Sequence, residues 1–188
     1  MKPEELMVSL TEEQMLALWK SVLHLEDVRR DCTIERDDGI DLDSLLITHI
    51  RQWYHQQLAT APLEWLPIDD VATETALTAD ATGVVTMQLP ERAVRPVEVR
   101  LSGWQCSVSE FAEPTSRTAL RQRCQWMRGG TASPVAVNHG GGTLRLYSVP
   151  AGTTPTADVV RCVALAADGT YRIARQALAT IPEWADSL

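Results

Sequence analysis

Hydrophobic residues recur at helical spacing twice in the first third of the chain and then give way to alternation. Met15, Leu18, Trp19, Val22 and Leu25 fall three or four residues apart, which sets them on one face of a helix. Thr11 and Gln14 form a capping box ahead of that face, with Leu10 and Met15 placed as a hydrophobic staple. Glu12 and Glu13 occupy the first turn, and Arg29 and Arg30 the last, as the helix macrodipole favours. The pattern predicts a helix over 11–30. After a polar connector over 31–39, Asp41 and Asp43 offer N-caps for a second helix with Leu42, Leu46, Ile50, Trp53 and Leu58 on its buried face. Leu45 and Tyr54 widen that face, and Ala61-Pro62 ends it, because proline disfavours helix in the residue before it. Two such helices joined by a short loop read as an antiparallel hairpin.

Past Pro67 the period shortens. The stretch 83–89, stopped by Pro90, and the stretch 97–101, with Glu98 and Arg100 on its wet side, both alternate as strands do. Between 111 and 128 the signal is mixed. Thr115 or Ser116 could cap a helix with Leu120, Cys124 and Met127 on one face, ended by Gly129-Gly130. The stretches 134–138 and 144–147 flank Gly140-Gly141-Gly142 as a hairpin, and the apolar run 157–166 is expected to pair next. Residues 171–188 form an amphipathic tail interrupted by Pro182. The whole reads as an α+β protein, an N-terminal α-helical hairpin or bundle packed with an antiparallel β-sheet or small β-sandwich. Its parts are a mainly helical region over 1–66, a β-rich region over 67–170 with an inserted helix, and the tail 171–188, within one integrated domain.

Composition sharpens this picture in three places. The net charge of −8 argues against a general nucleic-acid binder, whose basic surface releases counterions. Six Trp against one Phe raise the weight of core edges and contact surfaces, where an apolar ring with one donor is useful. The four cysteines, Cys32, Cys106, Cys124 and Cys162, make no CxxC pair and read as free thiols in a reducing compartment. The first residues precede no long apolar run, so no signal peptide is expected, and no stretch approaches the about 18 apolar residues of a membrane span.

Catalytic and metal chemistry find little footing. His139-Gly140-Gly141-Gly142 resembles the oxyanion-hole run of esterases, but the chain has no G-x-S-x-G elbow, and glycines between two strands supply the positive φ of a turn. Asp37, Asp38, Asp41 and Asp43 surround Gly39, yet Ile34, Arg36 and Leu45 stand where an EF-hand needs ligands. His24, His49, His55 and His139 make no HxxxH pair, and no phosphate-binding glycine loop is present. Neither a metal, a cofactor nor an enzymatic activity is expected.

Arg117, Arg121, Arg123 and Arg128 depart from the acidic average. They read either as the solvated side of a helix or as a basic face for an acidic partner or passing DNA.

The order of these parts resembles the head-to-tail adaptor proteins, or tail accessory factors, of tailed bacteriophages. The resemblance lies in the helical segment 43–53, the Gln88-Leu89-Pro90-Glu91 corner and the strand over 97–101. It continues through Pro134-Val135-Ala136-Val137, the run 142–150 ending in Pro150, and Ile181-Pro182-Glu183-Trp184. Ser148 stands where members of that family often have proline. The resemblance covers residue 40 onward through loose hydrophobic and proline patterns. It implies a non-enzymatic virion protein from a phage or prophage, made in the host bacterial cytoplasm. Such a protein docks on a portal protein, self-associates into a ring there, and meets a downstream tail component, with transient contact to DNA in the channel and none to membrane. The expected contact residues are Arg117, Arg121, Arg123, Arg128, Trp184 and Leu188, and deletion of 181–188 is expected to spare the fold while abolishing docking. The competing expectation is a ligand- or glycan-binding module that stacks exposed Trp, with Trp104, Trp126 and Trp184 as candidates.

Overall fold

Thr11 starts the first helix as the capping box requires: its hydroxyl accepts from the Gln14 amide, and the Gln14 side chain accepts from the Thr11 amide. In the computed structural model, which describes residues 7–23, 25, 41–150 and 152–182, that helix is α1 (Glu12–Val22). Leu25 is helical as well. The expected continuation to Arg30 and the connector over 31–39 lie outside the described residues. Asp41 caps α2 (Leu42–Thr60) by accepting from the Asp43 amide. Helices and antiparallel strands together make the chain α+β. It divides into two compact units, one built from 1–67 with 165–188, the other from 68–164.

In the first unit α1 and α2 meet through rings and charges. Trp19 and Trp53 touch edge to face, with centroids 6.0 Å apart. Glu12 pairs with Arg51 at 2.8 Å and Lys20 with Asp43 at 2.7 Å, so the two helices run in opposite senses. These exposed or half-exposed ion pairs contribute at most about 1 kcal/mol each. The burial of Met15, Trp19, Ile50, Trp53 and Leu58 matters more, at about 1.5–3 kcal/mol per large side chain. β1 (Met7–Leu10) pairs antiparallel with β10 (Tyr171–Ala174), which leads into the short helix α4 (Arg175–Leu178).

The expected tail is therefore a structural part of this unit over its described length. Ile173, Ala177 and Ile181 are buried, and the Thr180 hydroxyl accepts from the Trp53 indole at 3.3 Å. This corrects the expectation that 181–188 is dispensable for folding: the deletion would take a fully buried Ile181 from the core.

The second unit holds two sheets. The smaller has the order β2-β9-β5, from β2 (Ile68–Asp70), β9 (Ala157–Ala164) and β5 (Ala93–Leu101), all antiparallel. The larger has the order β3-β4-β8-β7-β6, from β3 (Ala76–Ala79), β4 (Val85–Gln88), β8 (Thr143–Leu146), β7 (Ala136–Asn138) and β6 (Phe111–Ala112), with only β6 and β7 parallel. Val85, Met87, Leu144 and Leu146 of one sheet share a core with Val99, Leu101, Val160 and Cys162 of the other, as the inner faces of a sandwich do. Pro96 is tolerated because β5 is an edge of its sheet.

The glycine hairpin forms as expected between β7 and β8. Gly140, Gly141 and Gly142 all take positive φ, and the Thr143 amide donates to the Gly140 carbonyl at 3.0 Å. The apolar run after it does not pair next, however. β9 crosses to lie between β2 and β5, because its buried residues complete the face opposite β8.

Two outcomes are expected. Ile181→Ala should destabilise the protein by about 2–5 kcal/mol in urea titrations of the full chain. Cys162 is buried, and burial, aided by Asp70, pushes its thiol up to about 11. Alkylation at neutral pH followed by peptide mapping should modify exposed Cys106 and Cys124 in the native protein, and Cys162 only after denaturation.

Candidate functional site

Ser116 caps α3 (Arg117–Gln122) by accepting from the Ala119 amide at 3.2 Å. The helix stops there, and a 3-10 turn over Gln125–Met127 follows. The predicted buried face is overturned. Leu120 and Met127 are 46% and 49% exposed and Cys124 is exposed, while Ala119 and Gln122 point inward. Ala119 packs with Val137 and Tyr147, whose neighbours in sequence, Ala136 and Leu146, belong to the shared core. Strand alternation thus places Ala119 on the outer face of the five-stranded sheet.

The base of this segment is tightly held. Gln122 is buried, and its side-chain oxygen accepts from the Gly129 amide at 3.1 Å. Arg128 donates from Nε to the Gln122 carbonyl at 2.9 Å and from a terminal nitrogen to the Thr82 carbonyl, and its guanidinium lies over the Tyr147 ring. Gly129 is required by a close approach: a Cβ there would collide with the Ser133 carbonyl oxygen.

Above this base stands a crown. Trp126 is 94% exposed, beside Met127 and with Leu120 exposed on α3. Arg117, Arg121 and Arg123 of the same segment are exposed and take no ion pair among the described residues. Of the four sequence-predicted arginines, then, three are exposed. The fourth, Arg128, is half-buried, with its Nε on the Gln122 carbonyl and a terminal nitrogen on the Thr82 carbonyl. Trp184 and Leu188 lie outside the described residues. Trp104 is 3% exposed and donates to the carbonyl of Ser148, a residue at φ 77, so it is a core residue. Among the described residues of the second unit Trp126 is the single exposed Trp.

Sequence reasoning noted Trp126 and the arginines separately but gave Trp126 no place beside them. The usable signal was Gln125-Trp126-Met127 between a basic helix and Gly129-Gly130, too short a span to bury an indole on either side.

The first unit carries a cavity of about 350 Å³ lined by Tyr54, Tyr171, Leu165, Ala166 and the Glu12–Arg51 pair. Tyr54 and Tyr171 meet edge to face at 5.0 Å. Tyr54 accepts from the Arg172 amide and donates to its carbonyl, both at 3.1 Å, which locks the ring. Burial raises the Tyr171 phenol above its ordinary value, so it stays a neutral donor to Glu12 at 3.3 Å. Among the described residues no group of three His, Cys, Asp or Glu side chains is placed to hold a metal ion, and no helix is long and apolar enough to cross a membrane. No protein-family model, curated protein or solved structure matches the chain.

The clasp under the crown gives a pH-linked prediction. Asp80 accepts from the Val84 amide and from the Thr82 amide and hydroxyl, and these bonds hold its carboxyl below the usual carboxylate range. A value lowered on folding stabilises above the unfolded pKa of about 3.9 and loses that contribution as pH falls through the folded value. The stability difference between wild type and Asp80→Asn should be full at neutral pH and vanish on acidification. Arg128→Ala should expose 117–130 to chymotrypsin about tenfold faster, a loss on the order of 1.5 kcal/mol, whereas Arg123→Ala should leave cleavage unchanged.

Proposed function

We propose that this protein is a non-catalytic assembly subunit, a head-to-tail connector of a tailed phage or prophage that docks on a portal ring and links it to the tail. Its place is the virion, after assembly in the bacterial cytoplasm. The observation that carries the reading is Trp126, 94% exposed on a held base. An indole left in water forgoes the stabilisation of burial, about 25 cal/mol per Å² of apolar surface, and no hydrogen bond or ring contact among the described residues uses it. Trp, Met and Arg together at the centre of a patch are the residues that dominate protein interfaces. Arg117, Arg121 and Arg123, exposed and in no ion pair among the described residues, favour an acidic partner surface and speed its encounter. The sequence resemblance to phage adaptors supplies the identity of that partner class.

Light scattering of the purified protein, alone and mixed with the portal protein encoded nearby, tests the reading. A stoichiometric complex should form with the wild type. Trp126→Ala should leave the Tm unchanged and weaken the complex at least tenfold, about 1.4 kcal/mol. A wild type indifferent to the portal would overturn the connector assignment.

A further inference from the structure

The five-stranded sheet ends on β3, and among the described residues of the second unit β3 is the edge left without protection. An open strand edge accepts another strand unless charge, proline, a bulge or brevity prevents it. β2 carries Asp69 and Asp70 within three residues. β5 has Pro96, three register shifts and a bridge from Val99 to Val108. β6 is two residues long. β3 reads Ala76-Leu77-Thr78-Ala79, keeps register with β4 at every position, and exposes Ala76, Thr78 and Ala79. We propose that β3 of one copy pairs antiparallel with β3 of a second copy about a two-fold axis, so that the sheet runs on from one chain into the other.

The backbone settles which groups face the open edge. The Asp80 amide donates to the Val84 carbonyl at 2.9 Å, which makes Asp80 and Val84 a hydrogen-bonded pair. Antiparallel alternation then turns Thr78 and Ala76 towards Thr86 and Gln88 of β4. The Leu89 amide donates to the Gly142 carbonyl at 2.8 Å, which assigns Val85 and Met87 to β8 and agrees with that phase. Leu77 and Ala79 therefore direct their amides and carbonyls out of the sheet. With Thr78 on the axis, Leu77 of each copy lies opposite Ala79 of the other, and every one of those groups finds a partner.

Side chains favour the same register. Leu77 and Ala79 share a face with the buried Met87 and Val85, and Leu77 packs against the shared core, so the second copy extends its apolar cover. On the outer face Thr78 meets Thr78, a favourable cross-strand pair. No like charges stand opposite each other, which matters where a chain of net charge −8 meets itself. Asp80 falls opposite Ala76, and its carboxylate is held by the Thr82 and Val84 amides. The edge is thus complementary to itself in hydrogen bonding, face and charge, which selects a second copy as its occupant.

A two-fold contact is closed, so growth should stop at the dimer. A strip of four residues falls short of a standard interface of about 1,600 Å², and light scattering should find the wild-type transition between about 10 µM and about 1 mM. Thr78→Lys and Thr78→Asp each set like charges against each other on the axis. Either variant alone should stay monomeric with an unchanged Tm, and an equimolar mixture of the two should dimerise. Ala79→Pro deletes an amide that β4 does not use and should also leave a monomer. A wild type monomeric up to about 1 mM overturns the proposal, as does a dimer that all three variants leave intact or a mixture of the charge variants that stays monomeric. A monomeric wild type whose portal complex is weakened by Ala79→Pro would likewise overturn it and assign the edge to a foreign strand.

Discussion

Arg128 is the contact on which the presentation of the crown depends. A guanidinium has five donors and no acceptor, and here three hydrogen bonds run to the Gln122 carbonyl and to the Thr82 carbonyl and hydroxyl, with the Tyr147 ring beneath the cation. The segment between Ser116 and Gly130 lies beside the outer face of the sheet, where Val84, Ala112 and Val135 are only partly covered. The guanidinium, the buried Gln122 and the close approach at Gly129 fix the base of the segment. Leu120, Trp126 and Met127 stay exposed above it.

Local chemistry made much of the fold readable. Thr11, Asp41 and Ser116 each cap a helix through their own side chains, and a cap needs only three or four neighbouring residues to declare itself. The three glycines between β7 and β8 could be read for the same reason. Strand partners could not. β9 has the composition of any buried strand, and its place between β2 and β5 is settled by residues some sixty to ninety positions away. A helical period read over a segment as short as 117–127 misled for a different reason. Leu120, Cys124 and Met127 keep the right spacing, but the helix ends at Gln122, and two buried residues, Ala119 and Gln122, were enough to fix its face.

The arginines show the limit of charge reasoning. Four basic residues close in sequence read as one feature, yet three are solvated and one is held by hydrogen bonds. The difference lies in the carbonyl oxygens that reach Arg128 alone. Trp104 and Trp126 divide in the same way. One indole found the Ser148 carbonyl and a place in the core, and the other found neither.

The pairing of Met7–Leu10 with Tyr171–Ala174 has a consequence for biosynthesis. The second unit, 68–164, is continuous in sequence and is complete once its last strand clears the ribosome. The first unit draws on both ends of the chain, so α1 and α2 must wait through most of translation for β10 and Ile181 to emerge. During that interval Trp19, Ile50 and Trp53 lack part of their final cover, and chaperones that bind nascent apolar segments would find them there. A polypeptide released before Tyr171 would carry the whole second unit and a first unit lacking β10 and Ile181.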